Sequence, residues 1–359
     1  MNYLSSMASY FRWPVLFLCL SLACKPDKKE DAPAPKNASG GTPTPTTPVT
    51  PNPNPSIANA VEAYGALKVN GNKIVGKDNT PVQLRGMSFF WSQWIGKYYT
   101  AETVEWLKKD WRCTLVRASM AVDDGEGYLR KPEVEKQKVI TVVDAAIANG
   151  LYVIIDWHSH HAEDYREEAK TFFAEMAKKY GDKPNVIYEI YNEPLNVSWS
   201  GVIKPYAEAV IAAIRQHDPD NIVVVGTRNW SQEVAEAANN PIAGVNIAYT
   251  LHYYAATHKQ GLRDKATQAL NRGVALMVTE YGTAEASGDG NLDVTETKTW
   301  WKFLDDNKIS WANWSLADKV EATAALRPNA SPTGGWTDAQ ITPSGLLVRE
   351  ELRAKNPKP

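Results

Sequence analysis

Val186-Ile187-Tyr188-Glu189-Ile190-Tyr191-Asn192-Glu193-Pro194 is an apolar run that ends in an amide, a carboxylate and a proline. A short apolar run that stops at turn formers reads as a strand buried on both faces. A second run, Ala275-Leu276-Met277-Val278-Thr279, closes on Glu280 in the same way. Strand-like and amphipathic stretches alternate around these two. The strand-like ones are 82–87, 114–119, 152–156, 186–191, 222–226, 247–251, 275–279 and 310–313. The amphipathic ones are 103–111, 132–149, 166–180, 205–217, 231–238, 262–272 and 295–306, with a last after Pro343. Eight such units predict an α/β fold, a (β/α)8 TIM barrel ringed by helices. A doubly wound open sheet is the alternative, and the lack of a glycine-rich phosphate fingerprint after the first strand counts against it. Turn formers at Asn70-Gly71-Asn72 and Lys77-Asp78-Asn79 add a short N-terminal hairpin within 69–83, a plug for the barrel floor.

In such a barrel the chemistry sits at the C-terminal ends of the strands. Those ends carry Phe89-Phe90-Trp91-Ser92-Gln93-Trp94, then Asp156-Trp157-His158, Asn192-Glu193, Asn229-Trp230, His252-Tyr253-Tyr254, Glu280-Tyr281-Gly282 and Trp314, while Arg117 lies on the second strand. Two carboxyls about 5–5.5 Å apart are what a retaining glycosidase needs, one to attack the anomeric carbon and one to protonate the leaving oxygen. Glu193 and Glu280 are the pair. Arg117 suits the attacking Glu280, because a neighbouring guanidinium favours the ionised carboxylate. A hydroxyl from Tyr254 would orient it. The acid must keep its proton near neutral pH, which burial and a nearby negative charge would favour. Asn192 suits a sugar 2-hydroxyl. Trp94, Trp230 and Trp314 offer flat faces for pyranose rings.

At these residues the chain resembles the bacterial endoglucanase branch of glycoside hydrolase family 5. The matching stretches are Leu84-Arg85-Gly86-Met87-Ser88, 188–194, 251–258, Val278-Thr279-Glu280-Tyr281-Gly282-Thr283 and 313–319. The resemblance runs from about Gly65 to the C-terminus. It implies a (β/α)8 barrel, retention of configuration and cleavage of internal β-1,4 bonds in cellulose-like glucans without a cofactor. It carries the acid/base role onto Glu193 and the nucleophile role onto Glu280. It also places Arg117, His158, Asn192, His252 and Tyr254 around the scissile bond, and Trp94, Trp230, Trp314, Lys319 and Glu321 at substrate subsites. Two positions depart from the pattern: Phe90 stands where some relatives have a histidine, and Tyr281 where tryptophan is common.

The ends of the chain carry other signals. Residues 1–23 hold one charge, Arg12, before the apolar stretch Val15-Leu16-Phe17-Leu18-Cys19-Leu20, and read as a signal peptide. Met7 is a second candidate start, closer to Arg12. Ser21-Leu22-Ala23-Cys24 resembles a bacterial lipobox, which makes Cys24 the expected lipidation site. An ordinary signal cleaved near Ala23 is the alternative. Residues 24–60 are rich in Pro, Thr and Asn and read as a tether. The catalytic domain is expected over 61–359. Together these predict a secreted or cell-surface enzyme, an outer-membrane lipoprotein of a bacterium, acting as a monomer on β-glucan polysaccharide. A net charge of −2 leaves no footprint for nucleic acid. Cys113 is the one cysteine of the domain, so no disulfide closes within it, and it reads as a core residue.

Other readings share these residues. A β-mannanase, xyloglucanase or mixed-linkage glucanase fits the same frame, since loops set the subsites. A glycan-binding surface lipoprotein without activity would use the same aromatics but has no need for the carboxylate pair. His158-Ser159-His160-His161 invites a metal, yet no His-Glu-x-x-His signature accompanies it, and no metal is expected. Trp91, Trp157 and Trp199 read as core or rim, Trp336 as an exposed rim residue of a loop, and Trp106, Trp111, Phe172 and Phe173 as core.

Overall fold

A computed structural model describes residues 59–358. The expected signal peptide, Cys24 and the tether up to residue 58 lie outside the described residues. Among those described, Asn59 caps a short helix α1 (Ala60–Tyr64) by accepting from the Glu62 N–H at 3.0 Å. The expected hairpin follows as β1 (Lys68–Asn70) and β2 (Lys73–Val75), paired antiparallel with Asn70 opposite Lys73.

Eight parallel strands then close on themselves. They are β3 (Arg85–Phe89), β4 (Leu115–Ala121), β5 (Tyr152–His158), β6 (Val186–Glu189), β7 (Val223–Val225), β8 (Ile247–Thr250), β10 (Ala275–Gly282) and β11 (Trp311–Leu316), with β11 pairing back onto β3. A two-residue strand β9 (Tyr253–Tyr254) adds to the upper end of β10. Outside run α2 (Ala101–Lys109), α3 (Pro132–Asn149), α4 (Arg166–Tyr180), α5 (Lys204–Arg215), α6 (Arg228–Ser231), α7 (Val234–Asn239), α8 (Gln260–Asn271), α9 (Val294–Asn307) and α10 (Pro343–Lys355). The bounds of α3 and α4 are those the periodicity predicts. Proline at the first turn of α3 and left-handed Gly150 after its end fix both limits.

The single helix expected over 231–238 is instead two short pieces. Asn229, Trp230 and Ser231 all have φ between 55° and 60°, a region that costs non-glycine residues energy. That kink breaks the helix and turns Trp230 outward. Trp336 is not a rim residue either. It is buried against Tyr98 and Trp111, and its indole N–H donates to the Ser331 carbonyl at 2.8 Å. The loop that carries it is held under α2, where a large apolar ring is worth more buried than exposed.

The barrel interior has two levels. Leu84, Leu115, Ile154, Ile187, Val224, Ala248, Met277 and Ala312 form an apolar floor with Ile74 of the hairpin. Each such side chain contributes about 1.5–3 kcal/mol on burial, and the hairpin thus plugs the floor as expected. Above that floor the inward side chains turn polar: Ser88, Arg117, Asp156, Glu189, Thr250 and Thr279 are all fully buried. A second core fills the space between barrel and helices, and it holds Cys113 as a free, buried thiol whose pKa burial pushes up.

Candidate active site

The polar level is organised by Arg117 on β4. Its Nε donates to Glu189 at 2.7 Å, Nη1 to Glu280 at 3.1 Å and Ser88 at 3.2 Å, and Nη2 to Asn192 at 2.6 Å, with Asp156 3.0 Å away. One guanidinium thus serves three carboxylates in a region without solvent. Burial pushes the Asp156 carboxyl up to about 7, against the pull of Arg117. His158 Nδ1 lies 2.6 Å from the Asp156 oxygen that also faces Arg117. Burial, followed by the Arg117 charge, holds that imidazole well below its ordinary pKa.

Asn192 and Glu193 project just beyond the last paired residue of β6. Their N–H groups still donate to Trp157 and Ser159, both at 3.3 Å, so the backbone stays laddered to β5. From the other side, a Cβ on Gly226 would lie 2.2 Å from the Tyr191 carbonyl and 2.8 Å from Pro194, so this turn demands glycine beside it. Asn192 spends its carbonyl oxygen on Arg117. Its amide nitrogen is the end left to meet a sugar hydroxyl.

Glu280 stands on β10. Tyr254 donates its hydroxyl to Oε1 at 2.8 Å while Arg117 holds Oε2. The tyrosine ring reaches this position by lying flat over Gly282, where a Cβ would come within 2.2 Å of it. Behind, Tyr281 fills the place expected of tryptophan by stacking on Tyr253 at 5.0 Å and accepting from the Trp301 indole at 2.9 Å.

Glu193 faces Glu280 across the mouth. One oxygen of each carboxylate and one nitrogen of His252 all lie within 4.8 Å of one another. Such a trio has the right chemistry for a divalent cation, but the runs of histidine that first suggested metal do not converge. His158 goes to Asp156, whereas His160 goes to Glu193, with its Nε2 3.1 Å from Oε2. His252 places Nδ1 2.9 Å from Oε1 of Glu193 and Nε2 2.8 Å from the Thr279 hydroxyl.

The setting of Glu193 corrects one expectation. Burial alone would push its carboxyl up, as the sequence reading supposed. Hydrogen bonds from His160 and His252 outweigh that and hold it well below the usual carboxylate range. Burial likewise opposes the His160 cation, but its hydrogen bond to Glu193 raises its pKa above the ordinary value. The proton an acid would need is therefore favoured on the His160 imidazole beside it. Coupled groups of this kind titrate as a unit.

The aromatic candidates divide. Trp94 is 57% exposed and Trp230 45%, both at the rim. Trp314 is only 5% exposed and stacks on His158 with rings 5.1 Å apart and 4° from parallel. With Phe90 tilted against it at 5.1 Å as well, it is packed rather than standing free as a platform. Trp91 packs edge-on to His158 at 4.2 Å, and Trp157 and Trp199 are core. Lys319 sits 4.7 Å above the Phe90 ring and pairs with Glu321; both line a cavity of about 280 Å³ together with Asp289 and Arg327.

Paired glutamates on the fourth and seventh barrel strands, with an arginine and a tyrosine on one and histidines on the other, make a specific combination. Residues 75–320 match the model of the cellulase family, glycosyl hydrolase family 5. The chain belongs to that family. It is 57% identical over 300 residues to endoglucanase Z of Dickeya dadantii, covering 83% of this chain and 68% of the relative. It is 52% identical over 278 residues to endoglucanase A of Evansella cellulosilytica, covering 76% of this chain and 57% of the relative. The chain thus spans roughly three fifths to two thirds of the length of these endoglucanases. The catalytic domain of a Thermobifida fusca endoglucanase, solved with cellotetraose, superposes with a TM-score of 0.79 at 36% identity, over 82% of this chain and 99% of that one.

The site residues to which sequence reasoning gave no part in glycosidic cleavage are Asp156, Glu189, Thr279 and His160. The first three sit within apolar strands and look like interior positions. The signal that was available for them is that a buried polar residue needs a partner.

Proposed function

We infer that the chain is a retaining endo-β-1,4-glucanase that hydrolyses internal bonds of cellulose-like glucans by double displacement. The observation that carries this reading is the facing pair of carboxylates, with Arg117 and Tyr254 bound to one and two imidazoles to the other. In the first step a Glu280 oxygen bonds to the anomeric carbon as the glycosidic C–O bond breaks, and Glu193 passes a proton to the departing oxygen. In the second step water, giving its proton to Glu193, attacks the anomeric carbon and releases Glu280. The short carboxylate separation matches this route; an inverting enzyme needs about 6.5–9.5 Å to seat its water.

A panel of carboxymethyl cellulose, mannan, xyloglucan and lichenan with sizing of the products tests the substrate. Expected are short cellooligosaccharides from carboxymethyl cellulose, with a fast fall in viscosity. Faster turnover of mannan or xyloglucan would reassign the substrate within the same chemistry, and binding to glucans with no products would leave only a lectin-like role.

The two exposed indoles act as platforms for glucose units. Trp94→Ala should raise KM for cellopentaose about tenfold and change kcat less than about twofold, as expected for a stacking contact worth about 1–2 kcal/mol that is equal in ground and transition states. Steady-state kinetics read both. Unchanged kcat and KM would place Trp94 outside the subsites.

A further inference from the structure

Thr279 precedes Glu280 on β10, yet its side chain faces the other glutamate's neighbour. Its hydroxyl has one hydrogen and three polar neighbours, the farthest of them the Thr250 hydroxyl at 3.4 Å. Oγ1 is 2.5 Å from Glu189 Oε1 and 2.8 Å from His252 Nε2. Thr250 supports the same Glu189 oxygen at 3.3 Å, and all four side chains are fully or almost fully buried. Burial pushes the Glu189 carboxyl up, but its other oxygen accepts from Arg117 Nε at 2.7 Å, and a guanidinium that donates to a carboxyl favours the ionised acceptor. The threonine hydrogen therefore points at Glu189, and its oxygen is left to accept. His252 can satisfy that oxygen only with a hydrogen on Nε2.

We propose that Thr279, pinned by Glu189, is a positioning residue for acid/base catalysis that locks the His252 hydrogen on Nε2 and leaves Nδ1 to share one exchangeable proton with Glu193. This rests on Glu193 being the acid/base. When His252 carries two hydrogens, Nδ1 donates to the ionised carboxylate. When it carries one, that hydrogen stays with Thr279, and the proton between Nδ1 and Oε1 belongs to Glu193. Neither state leaves Glu193 facing a second fixed donor from His252. Counted to the pair, one proton goes to the leaving oxygen as the Glu280–glycosyl bond forms. One returns from water as that bond breaks.

Other charged groups face this pair from every side. They are His160 on the second Glu193 oxygen, Glu280 with Tyr254, Arg117, Asp156 and, behind Tyr254, His258. None touches Nε2 of His252. Glu189 comes no nearer to that nitrogen than 3.9 Å, so among the described residues Thr279 alone contacts it within hydrogen-bond range. The reverse arrangement is chemically distinct. A protonated Glu189 would donate to Thr279, Thr279 to Nε2, and His252 would keep its hydrogen on Nδ1.

Imidazole ¹⁵N spectra of the full chain, with His252 assigned by its loss in His252→Gln, separate the two arrangements. The wild-type protein above the titration of the pair should show a protonated Nε2 and a bare Nδ1. A bare Nε2 there overturns the proposal even if no variant folds. Thr279→Val should free the tautomer and lower kcat/KM on cellotetraose roughly 100-fold, the usual scale of lost general-acid catalysis. The basic limb of its pH profile should move to lower pH, while a dinitrophenyl cellobioside, which leaves without a proton, should lose far less. Thr279→Ser should restore both tautomer and profile. Equal losses on the two substrates with an unmoved profile would reduce Thr279 to packing and overturn the proposal. If Glu193→Gln fails to distinguish the two leaving groups, the acid assignment itself falls, whatever the spectra show.

Discussion

Glu280→Ala will lower turnover of cellooligosaccharides roughly 10⁵-fold or more, the scale seen when a covalent nucleophile is removed. Binding should change little, because Trp94, Trp230 and Asn192 stay in place. The variant has a further signature. Truncation opens a small space beneath the anomeric carbon that azide or formate can enter. With a dinitrophenyl cellobioside, whose leaving group needs no acid, azide should restore turnover and give the α-glycosyl azide. That product has the inverted configuration because only one displacement occurs. The loss of Glu280 also leaves the Tyr254 hydroxyl without its acceptor and Arg117 Nη1 with Ser88 alone. Asp156 and Glu189 still neutralise Arg117, so the fold should survive, as circular dichroism and a melting curve would show. Full activity of this variant on glucan would end the nucleophile assignment.

Glu193→Gln should behave in the complementary way. Glutamine keeps the shape and a hydrogen bond to each histidine but carries no acidic proton. Loss on cellotetraose should reach about 10³–10⁴-fold, the upper range for a positioned general acid. Loss of glycosylation rate on the dinitrophenyl substrate should be far smaller. Deglycosylation then becomes limiting, since water has no base, and the glycosyl-enzyme should accumulate as a burst of dinitrophenol. Azide, which needs no base, should relieve that step and give the β-glycosyl azide. The opposite anomers from the two variants separate the roles of the two glutamates. If both substrates fall alike and azide does nothing, Glu193 is not the acid/base.

The setting of Glu193 also makes its histidines consequential. A carboxyl held low by hydrogen bonds from two imidazoles is a poor store for a proton, so the basic limb of the rate profile belongs to the coupled cluster rather than to Glu193 alone. His160 is the more exposed of the two and holds the Glu193 oxygen that His252 leaves free. Its backbone is backed by Tyr191, whose hydroxyl donates to Glu163 and lies 3.1 Å from the His160 carbonyl.

Much of this arrangement was readable from residues alone. Long periodic stretches such as α3 and α4 announce themselves because a helix face repeats and because Pro132 and Gly150 mark its limits. Strands buried on both faces announce themselves as apolar runs, and a carboxylate at the end of such a run, as at Glu193 and Glu280, is conspicuous. What could not be read is the inner polar level. Glu189 and Thr279 occupy single positions inside runs that are otherwise apolar, and only closure of the barrel shows that they face each other. The proton setting of Glu193 failed for the same reason. Sequence places a carboxyl in a crowded mouth, but it does not say that His160, from the loop after β5, bends back onto it. Trp336 was misread because a Gly- and Thr-rich loop looks exposed until the ring is seen between Trp111 and Tyr98. The break between α6 and α7 comes from three consecutive left-handed residues, a strain no propensity announces.

Peptide mass spectrometry of the enzyme after reaction with the dinitrophenyl glycoside of 2-deoxy-2-fluorocellobiose tests the central claim most directly. The fluorine slows both displacements and the activated leaving group restores the first, so the covalent intermediate persists. The account predicts one fluorocellobiosyl group, carried by the peptide that contains Glu280 and attached to that residue. Label on another residue, or stoichiometric release of dinitrophenol with no adduct at all, would contradict it.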